Sequence, residues 1–177
     1  MRKVLTTIAL IIGFIITYFL QVNIFSSLTI GGVKPNLFII YFLFIGLFGN
    51  QLIGTLFGII FGIFLDSVYG SVIGVSAVMF CIIGFLGSYF DRNFSKENKI
   101  TIILMIIGAT FIFETGKYFL SSIILEYDRE FLKFIKIVLI EILYNSLLTI
   151  ILYPIIQKIG YSVDRTYKRN NILTRYF

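Results

Sequence analysis

Apolar runs of helical length recur along the chain, separated by short clusters of glycine, polar and charged residues. At about 20 residues per crossing of the hydrocarbon core, this pattern predicts an all-helical integral membrane protein of about six transmembrane helices. The spans are expected over 4–21, 36–50, 51–66, 71–90, 100–124 and 134–159, in a single membrane domain followed by a basic tail at 160–177. The first run follows Arg2 and Lys3 as a signal peptide would. No A-x-A-like cleavage site follows it, and 21–27 reads as a polar exit, so an uncleaved first helix is expected.

The second and third runs are each too short to reach across about 30 Å at 1.5 Å per residue. Gly49, Asn50 and Gln51 divide them, and they form either two short helices or one long tilted one. Charge decides between these, because cytoplasmic segments carry the excess of Lys and Arg. With six spans and the amino terminus inside, Arg2, Lys3, Arg92, Lys96, Lys99, Lys158, Arg165, Lys168, Arg169 and Arg175 lie inside. Only Lys34, Arg129, Lys133 and Lys136 then lie outside, whereas merging the two runs leaves five basic residues inside and nine outside. Six spans with both termini cytoplasmic are therefore expected.

Composition narrows the function. Charged residues make up 14% of the chain and mean hydropathy is +0.98, against about 25% charged in ordinary soluble domains, which excludes a soluble fold. A single cysteine, Cys81, rules out an internal disulfide, and the absence of histidine removes the commonest general base and metal ligand. No Ser-His or Cys-His arrangement, metal-ligand cluster or phosphate loop is present, so neither an enzyme nor a cofactor is expected. Trp is absent as well, leaving Tyr18, Tyr41, Tyr69, Tyr89, Tyr118 and Tyr153 to supply any interfacial belt.

Three features stand out against the apolar background. Gly54, Gly58 and Gly62 recur at every fourth position and give the third helix a face without side chains, either for internal packing or as a docking groove for another protein's helix. Ala9, Gly13 and Thr17 form a weaker small-residue stripe on the first helix. Asp66 ends the third helix ahead of Gly70 and Gly74, the pattern of a tight outer turn whose carboxylate caps the next helix, with a ligand role as the alternative.

Glu114, Lys117 and Glu141 are costly in hydrocarbon and should face the bundle interior. Counting from the outer helix ends places Lys117 and Glu141 at similar depth, roughly 7–10 Å down, so Lys117 is expected to bridge Glu114 and Glu141. A structural ion pair, a ligand pocket or a proton path would all fit that trio. The tail combines Lys158, Arg165, Lys168, Arg169 and Arg175 with aromatic residues, which suits an anionic inner leaflet, at about 1 kcal/mol per basic side chain. A cytoplasmic protein partner is the alternative there, and nucleic acid is not expected.

Several of these residues carry a resemblance. Lys34, Pro35, Asn36 and Leu37 opening the second helix, the stretch from Gly62 through Ile63, Phe64 and Leu65 to Asp66, then Gly70 and Gly74, and Asn145 with Pro154 in the last helix, resemble the rod shape-determining MreD family. The resemblance implies a non-enzymatic scaffold that binds the periplasmic shape protein MreC. It also implies support of the RodA glycosyltransferase with its class B penicillin-binding transpeptidase, above MreB filaments. That family is similar in its six-helix plan to the substrate-binding S components of energy-coupling-factor vitamin transporters. The alternative function is therefore small-molecule binding by Asp66, Glu114, Lys117 and Glu141, with Ala9 and Gly13 docking a transport subunit.

Overall fold

The computed structural model describes residues 2–69, 72–94, 96–125 and 131–168. Among these residues six helices follow in order: α1 (Arg2–Asn23), α2 (Leu37–Phe48), α3 (Gln51–Tyr69), α4 (Val75–Asn93), α5 (Lys99–Leu125) and α6 (Phe131–Tyr167). Five of them are long and apolar enough to cross a membrane; α2, with 12 residues, is the exception. At 1.5 Å per residue it covers about 18 Å of a core about 30 Å thick. The second of the six runs is thus a short buried helix, a finer picture than six equivalent spans.

The reason lies in its sequence. Positions 37–48 are apolar all round apart from glycine and the Tyr41 hydroxyl, the signature of a helix surrounded on every side. Every residue of α2 except Tyr41 is buried, and α1, α3, α4, α5 and α6 all touch it. Lipid tails are as apolar as this core, so α2 is held by close packing and not by removal from water. Aromatic contacts supply part of that packing: Phe42 lies 4.6 Å from Phe80, which lies 4.7 Å from Phe113 of α5, while Phe14 of α1 stacks on Phe61 of α3 at 4.0 Å.

The glycine face of α3 is filled by the chain itself. A Cβ at Gly58 would stand 2.4 Å from the Phe80 carbonyl oxygen, one at Gly62 2.4 Å from Ala77 Cα, and one at Gly54 2.7 Å from the Gly84 oxygen. Two further glycines of α4 and one of α2 complete the seam, because a Cβ at Gly84 would meet the Gly54 oxygen at 2.2 Å and one at Gly46 the Gly84 oxygen at 2.1 Å. Gly87 likewise admits the Leu43 oxygen, 2.3 Å from where its Cβ would be. The docking groove expected as one reading of Gly54, Gly58 and Gly62 is therefore corrected: α4 occupies that face, leaving no free ridge for a partner helix.

A short helix buried at both ends leaves backbone groups that no water can reach, and these must find partners inside the protein. At the start of α2, the Leu37 amide donates to Gln21 Oε1 at 3.0 Å and the Asn36 amide to Asn145 Oδ1 at 2.9 Å. Gln21 is itself fixed by donating from Nε2 to the Pro35 oxygen at 2.8 Å. At the other end, the Leu47 carbonyl accepts from Lys168 Nζ. Helix α6 continues through Gly160 to Tyr167, eight residues beyond the expected end of the span at 159, and so carries Lys168 to that position.

Candidate functional site

Because α2 starts deep in the bundle, the face at which α1 ends and α6 begins is hollow. A cavity of about 410 Å³ opens there, lined by the 32–36 connector and by residues of α1 to α6. Gly31 and Gly32, at φ +60° and +84°, turn that connector back on itself, and Ile30 and Val33 pair in an isolated bridge. Pro35 is buried beside Asn36, and both line the cavity with Lys34.

Glu114, Lys117 and Glu141 converge on this cavity. Glu141 is buried at 5% exposure, facing Glu114 and Asn145. Lys117 does not make the expected ion-pair bridge. Its ammonium lies over the Phe113 ring, 5.7 Å from the centroid, and acts on Glu141 through space. Lys117 and Glu141 line the same cavity, but a shared height does not fix the direction in which a lysine stem extends. Asn145, fully buried, reaches away from the cavity wall to tie three elements together, donating from Nδ2 to Thr110 Oγ1 at 3.1 Å while accepting from Asn36. Two acceptors at the cavity, Glu141 Oε1 and Asn36 Oδ1, are buried and find no hydrogen-bond partner among the described residues.

Asp66 borders the same region. Its carboxylate, 1% exposed, accepts from the amides of Gly74 at 2.9 Å, Ser76 at 3.0 Å and Ala77 at 3.4 Å, so it caps the amino terminus of α4 where the helix dipole favours an anion. Gly74 permits the approach with φ +106°. With its oxygens engaged in this way, Asp66 has a structural use; Gly70 lies outside the described residues.

The opposite face is closed by charge. Lys96 pairs with Asp91 at 2.9 Å and Asp164 at 2.8 Å, and Lys168 pairs with the same two carboxylates at 2.8 and 3.2 Å. Lys96 also lies over Phe48, the last residue of α2. Burial pulls the Lys96 ammonium down, but hydrogen bonds to Asp164 and Asp91 outweigh it and hold its pKa above the ordinary lysine value. Of the basic residues assigned to a membrane-surface tail, Lys168 is thus turned into the protein, Lys158 and Arg165 are exposed, and Arg169 and Arg175 lie outside the described residues. Sequence reasoning overlooked Gln21, Thr110, Asp91 and Asp164; a glutamine or threonine inside an apolar run was the available signal for the first two.

Long apolar helices around a buried central one, hollowed at one face by a polar cavity, define a multi-pass integral membrane protein. The chain belongs to the MreD family: the family model of rod shape-determining protein MreD matches residues 1–162. Its role therefore lies in determining rod shape. No curated protein and no solved structure matches the chain, and a likeness to transporter S components is not shown.

Proposed function

We propose that the protein is a non-enzymatic scaffold of the bacterial cell-elongation machinery, and that its hollow face receives a membrane-proximal segment of MreC. Through that contact it supports RodA and the class B penicillin-binding transpeptidase, with MreB filaments on the other side of the membrane. The excess of Lys and Arg at the closed face supports an orientation in the cytoplasmic membrane with both termini inside and the cavity outside.

The observation that carries this reading is the pair of buried acceptors without partners, Glu141 Oε1 and Asn36 Oδ1, at a cavity open to the membrane surface. A buried polar atom left unpaired costs about 1–3 kcal/mol. An incoming peptide offers what these atoms lack, an N–H donor from its main chain or from a basic side chain. The test is co-purification of tagged MreC with the full-length protein in mild detergent. Glu141→Leu should cut the recovered MreC at least about tenfold, equivalent to about 1.4 kcal/mol, while the variant elutes as a monodisperse peak. Undiminished recovery with Glu141→Leu would remove the cavity from the account.

A further inference from the structure

The connector at 32–36, which lines the polar cavity, carries an unused main-chain edge. Ile30 and Val33 exchange amide-to-carbonyl hydrogen bonds at 2.9 and 3.0 Å across the turn at Gly31 and Gly32, so the main chain at Val33 faces back toward Ile30. Beyond that pair the chain is held extended. Lys34 precedes Pro35, which keeps it out of the helical region, and Asn36 has φ −118° and ψ 89°. In extended chain, successive residues turn N–H and C=O to opposite edges, and the partners here follow that alternation. The Pro35 carbonyl accepts from Gln21 of α1, whereas the Asn36 amide donates to Asn145 of α6.

Lys34 therefore shares the α6-facing edge with Asn36. It is exposed, and its N–H and C=O find no hydrogen-bond partner among the described residues. Stepping back from Asn36 to Lys34 covers about 6.8 Å at 3.4 Å per residue, and from Asn145 to Glu141 about 6 Å at 1.5 Å per residue. Both steps lead toward the hollow face. Asn145 is bonded to Asn36, so Glu141 stands at the height of Lys34, and both line the cavity. Glu141 Oε1 is unpaired as well.

We infer that the occupant of the hollow face enters as an extended strand laid between this edge and α6. One of its residues exchanges hydrogen bonds with the main chain of Lys34, and the next turns its N–H the other way, toward Glu141. The unpaired groups select this occupant. A helix uses its own amides and carbonyls internally, and a basic side chain offers the Lys34 N–H no acceptor. A strand supplies donor and acceptor together on one edge and a donor on the other, as when a peptide adds to an exposed sheet edge. The missing N–H of Pro35 belongs to the opposite edge, so the open one loses no donor. Strand entry rests on MreC being the occupant.

Cysteine pairing in cells provides the test. The full-length chain carrying Cys81→Ala and Lys34→Cys is expressed with otherwise cysteine-free MreC bearing single cysteines at consecutive positions of its membrane-proximal segment. Disulfide adducts should appear at alternate MreC positions, the period of a strand. In the wild-type chain, hydrogen exchange read by mass spectrometry should show the amides at 32–34 slowed at least about tenfold when MreC is bound. Adducts at every third or fourth position, the period of a helix, absence of adducts, or unchanged exchange at 32–34, each with MreC still recovered, would overturn strand entry alone. Failure to recover MreC at all would sink the MreC contact and strand entry together.

Discussion

The two ends of α2 face the same physical difficulty and resolve it differently. Twelve residues leave about 12 Å of the hydrocarbon thickness uncovered. At the Phe48 end the deficit is closed: α6 runs on, and Lys168 reaches the last turn of α2 while joining Asp91, Asp164 and Lys96. At the Leu37 end the first amides are satisfied by Gln21 and Asn145, but the volume above them stays open, and Glu141 and Asn36, each with a buried unpaired acceptor, are among the residues that line it. One end is a finished structural joint, and the other is an unfinished one that a partner can complete. The lesson is that a span too short for its membrane can create a site at whichever end the rest of the chain leaves uncovered.

The largest effect should come from the seam that sets the height of α2 between those ends. Gly58→Leu forces a side chain into backbone 2.4 Å away; overpacking costs about 1–3 kcal/mol where neighbours can move and more where they are backbone. Loss of a monodisperse peak on fluorescence-detected gel filtration is the expected result, and normal elution would show that α3 and α4 are not locked together. Next comes the open end. Asn145→Leu strands the Asn36 amide and the Thr110 hydroxyl, and should destabilise by about 2–6 kcal/mol, taking about 1–3 for each buried group left unpaired. A melting curve in detergent measures it.

At the closed end, Lys168→Met removes an ammonium shared by two carboxylates and a carbonyl. The expected loss is about 1–3 kcal/mol, and it should shrink when Asp91→Asn is already present, because the partner charge has gone. Equal losses in both backgrounds would mean that the pair contributes nothing. The smallest effect has the opposite sign. Gly108 on α5 has open space where a Cβ would go, so Gly108→Ala should raise the melting temperature by an amount corresponding to about 0.5–1 kcal/mol.

Much of this architecture was legible because lipid imposes simple rules on sequence: apolar runs of fixed length, charges outside them, and glycine where backbones meet. The glycine spacing on α3 marked a close helix contact, yet not whose helix fills it, since Gly84 and Gly87 of α4 carry no signal that names Gly54 and Leu43 as their neighbours. The place of α2 was hidden because a short apolar run reads alike as a span or as a central helix. Asn145 meets Asn36 across 109 positions of sequence, a separation at which local patterning is silent. Lys168 was assigned to the membrane surface with its basic neighbours, and only the length of α6 reveals that it turns inward.

The central claim, that the hollow face and not the exposed side of α3 meets the partner, is tested most directly by a photocrosslinking side chain placed in cells at Lys117 or Asn36 at the cavity and at Leu56 or Ile60 on the exposed side of α3. The account predicts adducts with MreC from the first pair and none from the second. Adducts from Leu56 or Ile60, with the cavity positions silent, would contradict it.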